Sequence, residues 1–333
     1  MVRIPAKDLQ REFERVLTGL EFSPERARLC AEIFTENTLT GVNSHGINWF
    51  PRFVDRIRQG FINAQAAPEK IDGFGSWERW DGRYGPGPLN AAASTDRAIA
   101  LAREHGMGCV ALRNTTHWLR AGTYGWRAAE AGFIFMCWTN TLPLMPPWGA
   151  KTVAIGNNPM VLAVPRQNGP VVLDMAMSQF SIGRLTTTKD RTDTLPVPGG
   201  YDKNGNLTQD PGEILETKRP LPIGYWKGSG LALLLDLISA LLADGRSTQQ
   251  ISGKKEENGV SQTYIAFNIM KTGDSFAIYD VVDRIVEDFL SAAPVDRGAQ
   301  VLYPGQRALR TRGENLEKGV PVDSVVWKQV QAF

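Results

Sequence analysis

Three histidines occur in this 333-residue chain, and two stand in segments whose neighbours suit proton chemistry. His45 lies in GVNSHGINWFPRF, between Ser44 and Gly46. His117 lies in RNTTHWLRAGTYGW, behind an Asn-Thr-Thr run and ahead of a glycine-containing stretch. Imidazole titrates at about pH 6.5, so either ring can give a proton to a carbonyl oxygen or take one from an alcohol. The alternative for each is the ordinary work of a loop histidine, satisfying or capping a backbone group. Gly46 would let the backbone approach a ligand closely. His105, before Gly106 at the end of a helical pattern, is placed to meet terminal carbonyls. Asp174 ends the apolar run of PVVLDMAMSQF, where a carboxylate can orient a histidine, bind a cofactor hydroxyl or cap the next helix; the pattern favours the cap. Lys227, in GYWKGSG before a long apolar stretch, suits an anion at a helix start, with an exposed loop lysine as the alternative.

Those side chains need rigid elements to hold them. SPERARLCAEIFTENTLTG (23–41) opens with Ser23 as N-cap and Pro24 at the first helical position. Ala27, Cys30, Ala31 and Phe34 follow at the spacing of one helix face, and Gly41 ends the run. FPRFVDRIRQG (50–60) reads as a second amphipathic helix, which leaves His45 in a connection between two helices. NAAASTDRAIALAREHG (90–106) and TYGWRAAEAG (123–132) read as helices. CVALRN (109–114), FIFMCWT (133–139), MVLAVP (160–165) and VVLDM (171–175) read as strands. GLALLLDLISALLADG (230–245) reads as a buried helix, QTYIAFNIM (262–270) as a strand and SFAIYDVVDRIVEDFLSAA (275–293) as an amphipathic helix. Another short helix is expected near Val322–Val330, and GGYDKNGNLTQDPGE (199–213) reads as an exposed excursion. This alternation predicts an α/β or α+β fold.

The 42% hydrophobic and 22% charged fractions describe an ordinary globular protein, long enough for two lobes. Thirty-seven basic residues against 35 acidic ones form no basic stripe, so a nucleic-acid partner is not expected. The longest apolar run, residues 231–245, is interrupted by Asp236 and is shorter than the roughly 20 residues that span a bilayer, so no membrane partner is expected. MVRIPAKDLQREF lacks the apolar core of a signal peptide, and the cytoplasm is the expected compartment. Cys30, Cys109 and Cys137 are odd in number and lack CxxC spacing, which indicates neither a disulfide frame nor a metal site. No GxGxxG, P-loop, HExxH or GxSxG occurs, and GPGP (85–88) puts proline where a helix N-terminus would have to begin. A Rossmann reading therefore has no support.

The ordered set SHG then PRF, NTTHW with AGTYG, WTN with PPWGA, IGNNPMVLAVP, LDMAMS, GYWKGSGL and YPG resembles the type II malate/L-lactate dehydrogenase family, also called the malate/ureidoglycolate/sulfolactate dehydrogenases. The likeness runs from the first helix to VDSVVWKQVQAF. It implies NAD(P)H-dependent reduction of a small α-keto acid, on a non-Rossmann α/β (α+β) fold. That fold has a largely antiparallel-sheet cofactor domain and a helical domain built from both chain ends. The boundaries expected are 1–75 for the helical N-terminal part, 76–250 for the nucleotide-binding domain and 251–333 for a returning strand and closing helices. A homodimer with active sites near the interface is implied as well.

Residue by residue, His45 matches the SHG histidine that is the proton donor in one reductase branch. His117 matches the acid/base histidine of the ureidoglycolate and sulfolactate branches; the choice stays open, with His45 ranked ahead. Ser44, Asn48, Trp49, Arg52, Asn140 and Thr141 fall where relatives line the nicotinamide and substrate pocket. Leu173, Asp174, Met175, Ala176, Trp226, Lys227, Gly305, Gln306 and Arg307 match cofactor-binding segments for NAD(H), with NADP(H) the alternative. Two departures stand out. Trp49 occupies the position of an arginine that grips the substrate carboxylate in relatives, and an indole cannot replace a bidentate guanidinium. Arg52, three residues on, is a candidate replacement. The usual PGE or PGHE turn becomes PGQR, so Arg307 puts positive charge where relatives carry an acid. These changes keep open another substrate, such as malate, lactate, ureidoglycolate or a cyclic imino acid, or a nucleotide-binding relative without catalysis.

Overall fold

The computed structural model describes residues 1–253, 257–271, 275–296 and 298–333. Strand β1 (Val2–Ile4) leads into α1 (Ala6–Thr18) and α2 (Pro24–Leu39), and a 3-10 turn at Asn43–His45 passes the chain to α3 (Phe50–Arg58). Ser23 accepts the Arg26 N–H at the start of α2, and Ala27, Cys30, Ala31 and Phe34 are all fully buried. Phe34 meets Phe13, Phe50 and Phe53 in one aromatic cluster with ring centroids 4.3 to 5.7 Å apart. Truncating one such ring costs about 3–5 kcal/mol, so this cluster fixes the three helices around the turn that carries His45.

The middle of the chain builds a sheet. β2 (Glu69–Phe74) and β3 (Trp77–Asp81) form a hairpin, followed by α4 (Gly87–His105), β4 (Met107–Thr116), α5 (Gly122–Glu130) and β5 (Ile134–Thr139). A small ribbon of β6 (Pro143–Met145) and β7 (Ile155–Gly156) precedes β8 (Met160–Val164) and β9 (Val171–Met175). Next come α6 (Ile182–Asp190), β10 (Gly200–Tyr201), β11 (Leu207–Thr208) and α7 (Pro211–Thr217), gathered on Leu185, Leu195 and Ile214, and the expected excursion at 199–213 falls within this group. Then come α8 (Trp226–Ala243), α9 (Thr248–Ser252), β12 (Asn258–Phe267), α10 (Ser275–Ser291), α11 (Gln306–Lys318), β13 (Val320–Val322) and α12 (Ser324–Gln331).

Seven strands pair in the order β2-β3-β4-β12-β5-β8-β9. Only β3 and β4, joined through the α4 crossover, run parallel; the other neighbours are antiparallel. Strand alternation assigns the two faces. Phe135 and Cys137 of β5 join the core shared with α4 and α5, whereas Met136 and Trp138 meet Ala232 and Leu235 of α8. The late strand β12 thus lies between β4 and β5. β1 pairs with β13, Val2 opposite Val322, and the Asn315 amide donates to Leu39 O at 2.8 Å, so both ends of the sequence share the helical lobe.

Two expectations are corrected. The 230–245 helix is not buried throughout: Leu233, Leu234, Leu237, Ile238 and Leu241 are exposed, because only its other side packs on the sheet. By length and hydropathy it is also the one described helix apolar enough to cross a membrane. Nor do the prolines of GPGP prevent a helix, since α4 begins at Gly87 with Pro88 in its first turn, where no intrahelical N–H is lost.

Beside β3, the Glu78 carboxylate is buried and takes hydrogen bonds from both Arg97 Nε and Nη2, Lys70 Nζ and the Trp80 indole. Arg97 above all holds it down to about 2. A depressed carboxylate stabilises the fold above its ordinary range, and that contribution fades as pH falls toward the folded value. Glu78→Gln is expected to cost about 3 kcal/mol at pH 7. In urea unfolding, the gap to wild type should narrow between pH 5 and roughly pH 2 as the wild type loses its ionised carboxylate.

Candidate active site

The turn carrying His45 is shaped by its contact with α2. The buried Asn37 amide donates to His45 O at 2.8 Å and its carbonyl accepts from Thr123 Oγ1 at 2.5 Å, which joins the turn to α5. Ile47 N–H donates to Thr38 Oγ1 at 3.0 Å. A Cβ on Gly46 would lie 2.3 Å from that same oxygen. The glycine is therefore required by the approach to α2, which corrects the expectation that it faces a ligand. Ser44 Oγ lies 3.1 Å from His45 Nδ1, and the first turn of α6 lies beside Ser44, with a Cβ on Gly183 reaching 3.7 Å from its Cβ.

The fold brings the two sequence-distant histidines together. Their rings stack at 5.6 Å with 14° between planes. Trp49 lies 4.7 Å from His117 and 6.2 Å from His45, nearly parallel to both. The guanidinium groups of Arg52 and Arg56 sit 4.8 and 5.9 Å from the Trp49 ring. Thus the Trp49 indole faces the histidines on one hand and two arginines on the other.

The environments of the histidines differ. The Leu119 N–H donates to His117 Nδ1 at 3.0 Å, so a neutral His117 carries its proton on Nε2. Burial pushes His117 well below the usual imidazole range, and the charges of His45, Arg56 and Arg52 push it further. Burial also lowers His45, but Asp174 opposes that while Arg120 adds to it. His45 has a carboxylate to support its cationic form; no carboxylate figures among the groups that shift His117.

Arg120 and Asp174 form the other wall. Arg120 is 8% exposed; its Nη1 donates to Thr40 Oγ1 at 2.6 Å and its Nε lies 3.4 Å from Asp174 Oδ2. The Gly122 N–H donates to the same carboxylate oxygen at 3.0 Å, and a Cβ on Gly122 would stand 2.6 Å from it. Asp174 therefore caps α5; Ser181 caps the helix that follows it, which corrects the cap expected from sequence order. A cavity of about 430 Å³ opens between α2, α5 and α11, with Thr40, Arg120, Thr123, Trp126, Leu309 and Arg312 in its lining. Arg120 and Asn37 escaped the sequence reading. The arginine stands three residues after His117, but nothing local distinguishes it from a surface cation, and Asn37 lies within a helical run.

The remaining candidates divide. Asn48 is exposed near the turn, and Leu173, Met175 and Ala176 are half-buried along and just beyond β9. Asn140 is fully buried; its amide donates to Asp236 and to Arg246 O and its carbonyl accepts the Ser261 N–H, so these groups tie the sheet to α8 and its neighbours. Thr141 is buried and bonds to Leu142 O. Trp226 and Lys227 are exposed at the start of α8, with the ammonium 5.9 Å from the indole centroid. Gly305, at φ 95°, begins α11 against Val172 and Trp126; Gln306 accepts the Tyr303 N–H, and Arg307 is exposed. His105 stands 3.5 Å from Glu104, and the end of its helix is closed by Gly106 N–H to Ala102 O.

Comparisons with known proteins agree with this architecture. The sequence pattern described as malate/L-lactate dehydrogenase matches residues 4–331. The chain is 43% identical to 2,3-diketo-L-gulonate reductase of Citrobacter koseri over 334 aligned residues, covering all of both proteins. It is 42% identical, again over both whole lengths, to the protein of that name from Escherichia coli K12. Among solved structures, sulfolactate dehydrogenase from Methanocaldococcus jannaschii superposes with a TM-score of 0.89 at 26% identity, covering 99% of this chain and 96% of that one. Malate dehydrogenase from Entamoeba histolytica gives a TM-score of 0.94 at 24% identity, with the same coverage, a likeness of fold. The chain belongs to the malate/L-lactate dehydrogenase family, an oxidoreductase family.

Proposed function

We propose that this protein is an NAD(P)H-dependent reductase of a small α-keto acid, akin to the 2,3-diketo-L-gulonate reductases that it resembles along its whole length. The observation that carries the reading is the stacked pair of His45 and His117, with the charges of Asp174 and Arg120 acting on the first ring and those of Arg56 and Arg52 on the second. His45 is the proton donor: Asp174 supports its charged form, and its proton goes to the carbonyl oxygen as that oxygen gains charge. His117 stays neutral and offers Nε2–H as a fixed hydrogen-bond donor to the same oxygen, since the Leu119 N–H occupies its Nδ1. Trp49 packs along both rings and keeps water from them.

The residues matched to the cofactor suit a dinucleotide. Asp174 Oδ1 makes no hydrogen bond among the described residues, which leaves an acceptor for a hydroxyl or amide. Lys227 and Arg307 are exposed cations without ion pairs among the described residues, available to phosphates. Trp226 offers an exposed ring face. Leu173, Met175, Ala176, Gly305 and Gln306 would line the remainder. When bound, the reduced nicotinamide supplies the hydride to the carbonyl carbon. Arg307, in place of an acid, favours a 2′-phosphate and therefore NADPH over NADH. The protein is further read as a homodimer, because the apolar side of α8 (Leu233, Leu234, Leu237, Ile238 and Leu241) is exposed on the single chain. Against the reading of a nucleotide-binding relative without catalysis stands the intact pair of histidines.

Loss of NADH or NADPH absorbance with a panel of keto acids tests the activity, diketogulonate included. Absence of turnover with every acid and both cofactors would sink the proposal. His45→Ala should lower kcat/KM roughly 10²–10⁴-fold and flatten its pH profile. His117→Ala should lose about 10²-fold while keeping that profile. Because His45 is depressed, reduction should weaken as pH rises through a value below about 6.5, and the reverse oxidation should strengthen over the same range. The opposite outcome for the two variants would exchange the roles. In light scattering, Leu237→Lys should convert the dimer to monomer, and a monomeric wild type would refute the interface.

A further inference from the structure

A keto acid needs a cation for its carboxylate, and Trp49, four residues beyond His45, supplies none. We propose that Arg120 supplies that cation, so that the acid lies with its carboxylate on the α2–α5 side of His45. The inference rests on the keto-acid reductase reading and adds a specificity-determining residue to it.

Arg120 is nine-tenths buried and held rigidly. Thr40 Oγ1 accepts from its Nη1 at 2.6 Å, Asp174 Oδ2 stands 3.4 Å from its Nε, and Nη2 makes no hydrogen bond among the described residues. Arg120 also lines the cavity of about 430 Å³ between α2, α5 and α11, which has room for a small organic acid and carries Arg127 and Arg312 alongside Glu32, Glu36 and Glu130. Asp174 balances the charge of Arg120 from the Nε side, where its Oδ2 also takes the Gly122 N–H at the start of α5, and leaves Nη2 unoccupied among the described residues. A buried guanidinium with one edge fixed and another nitrogen open is pre-organised for a carboxylate, and binding there requires no side chain to be ordered.

Position relative to the proton donor agrees. Thr40, which fixes Arg120, lies one turn after Asn37, which fixes His45 through its carbonyl. Both groups therefore register on the last turns of α2. Arg52, the alternative, is exposed, and an ion pair formed there stays in water, where it contributes little. Arg56 is buried, 5.9 Å from the Trp49 ring, and its charge lowers His117. A substrate carboxylate held at Arg120 keeps its carbonyl beside His45. Trp49 then contributes an apolar face beside the histidines, which favours an acid whose other end is uncharged over a dicarboxylate.

The test compares each variant on the best-reduced keto acid and on its methyl ester. Arg120→Met should lower kcat/KM for the acid roughly ten- to hundredfold, mainly through KM, with little change for the ester, so that the acid/ester ratio collapses. Arg120→Lys, which keeps charge but not the fork, should fall between. If Arg120→Met does not fold, Thr40→Val, which removes the oxygen orienting the guanidinium, should raise KM for the acid alone. A purely structural role depresses acid and ester equally and leaves the ratio intact, and that result overturns the proposal. Collapse of the ratio in Arg52→Met or Arg56→Met instead of Arg120→Met overturns it too. Wild-type protein that reduces no keto acid defeats the proposed function and this inference together. Active protein with an unchanged ratio in the Arg120 variants defeats this inference alone.

Discussion

One carboxylate oxygen holds the site together. Asp174 Oδ2, at the end of edge strand β9, takes the Gly122 N–H that opens α5 and faces the Arg120 guanidinium, which in turn bonds to Thr40 on α2. A sheet edge and two helices from separate parts of the chain thus meet at one charged group. Gly122 must lack a side chain for this meeting, because a Cβ would overlap the oxygen. Losing the carboxylate would leave the nearly buried Arg120 without its anion and α5 without its cap, a larger loss than either hydrogen bond alone.

From that junction the charges divide around two histidines that are chemically alike and differently placed. His45 has the Asp174–Arg120 pair beside it, whereas His117 has arginines, burial and a backbone N–H that claims Nδ1. Rings 5.6 Å apart cannot both become cationic without cost, which is why the proposed mechanism gives the mobile proton to one and a fixed tautomer to the other. Trp49 fits this division. An indole packs on neutral and cationic rings alike, and its face is where Arg52 and Arg56 rest.

Local reading failed where the reason for a residue lay in a distant neighbour. Gly46 reads as room for a ligand, but the backbone approaches Thr38. Asp174 reads as the cap of its own next helix but caps α5, fifty-two residues back in sequence. The apolar stretch of α8 reads as core because composition cannot say how many of its sides are covered. The prolines at 86 and 88 read as a barrier to a helix, although the first turn needs no intrahelical N–H and accepts them. In Asn140 a residue type suited to a pocket has all its amide groups engaged in holding the sheet against its neighbours.

The sequence by itself determined the family and the alternation of helices and strands, and singled out His45 and His117 as candidates, because motif order and apolar periodicity are local properties of the chain. The helix from Pro24, capped by Ser23 and burying Ala27, Cys30, Ala31 and Phe34, was legible for the same reason. Only the tertiary structure decided that the two histidines stack, that Trp49 lies against both, and that Arg120 stands buried beside Asp174. Those facts depend on distance and burial between segments about 50 to 70 residues apart, and ring stacking, shared carboxylate oxygens and desolvation leave no periodic trace in the order of residues.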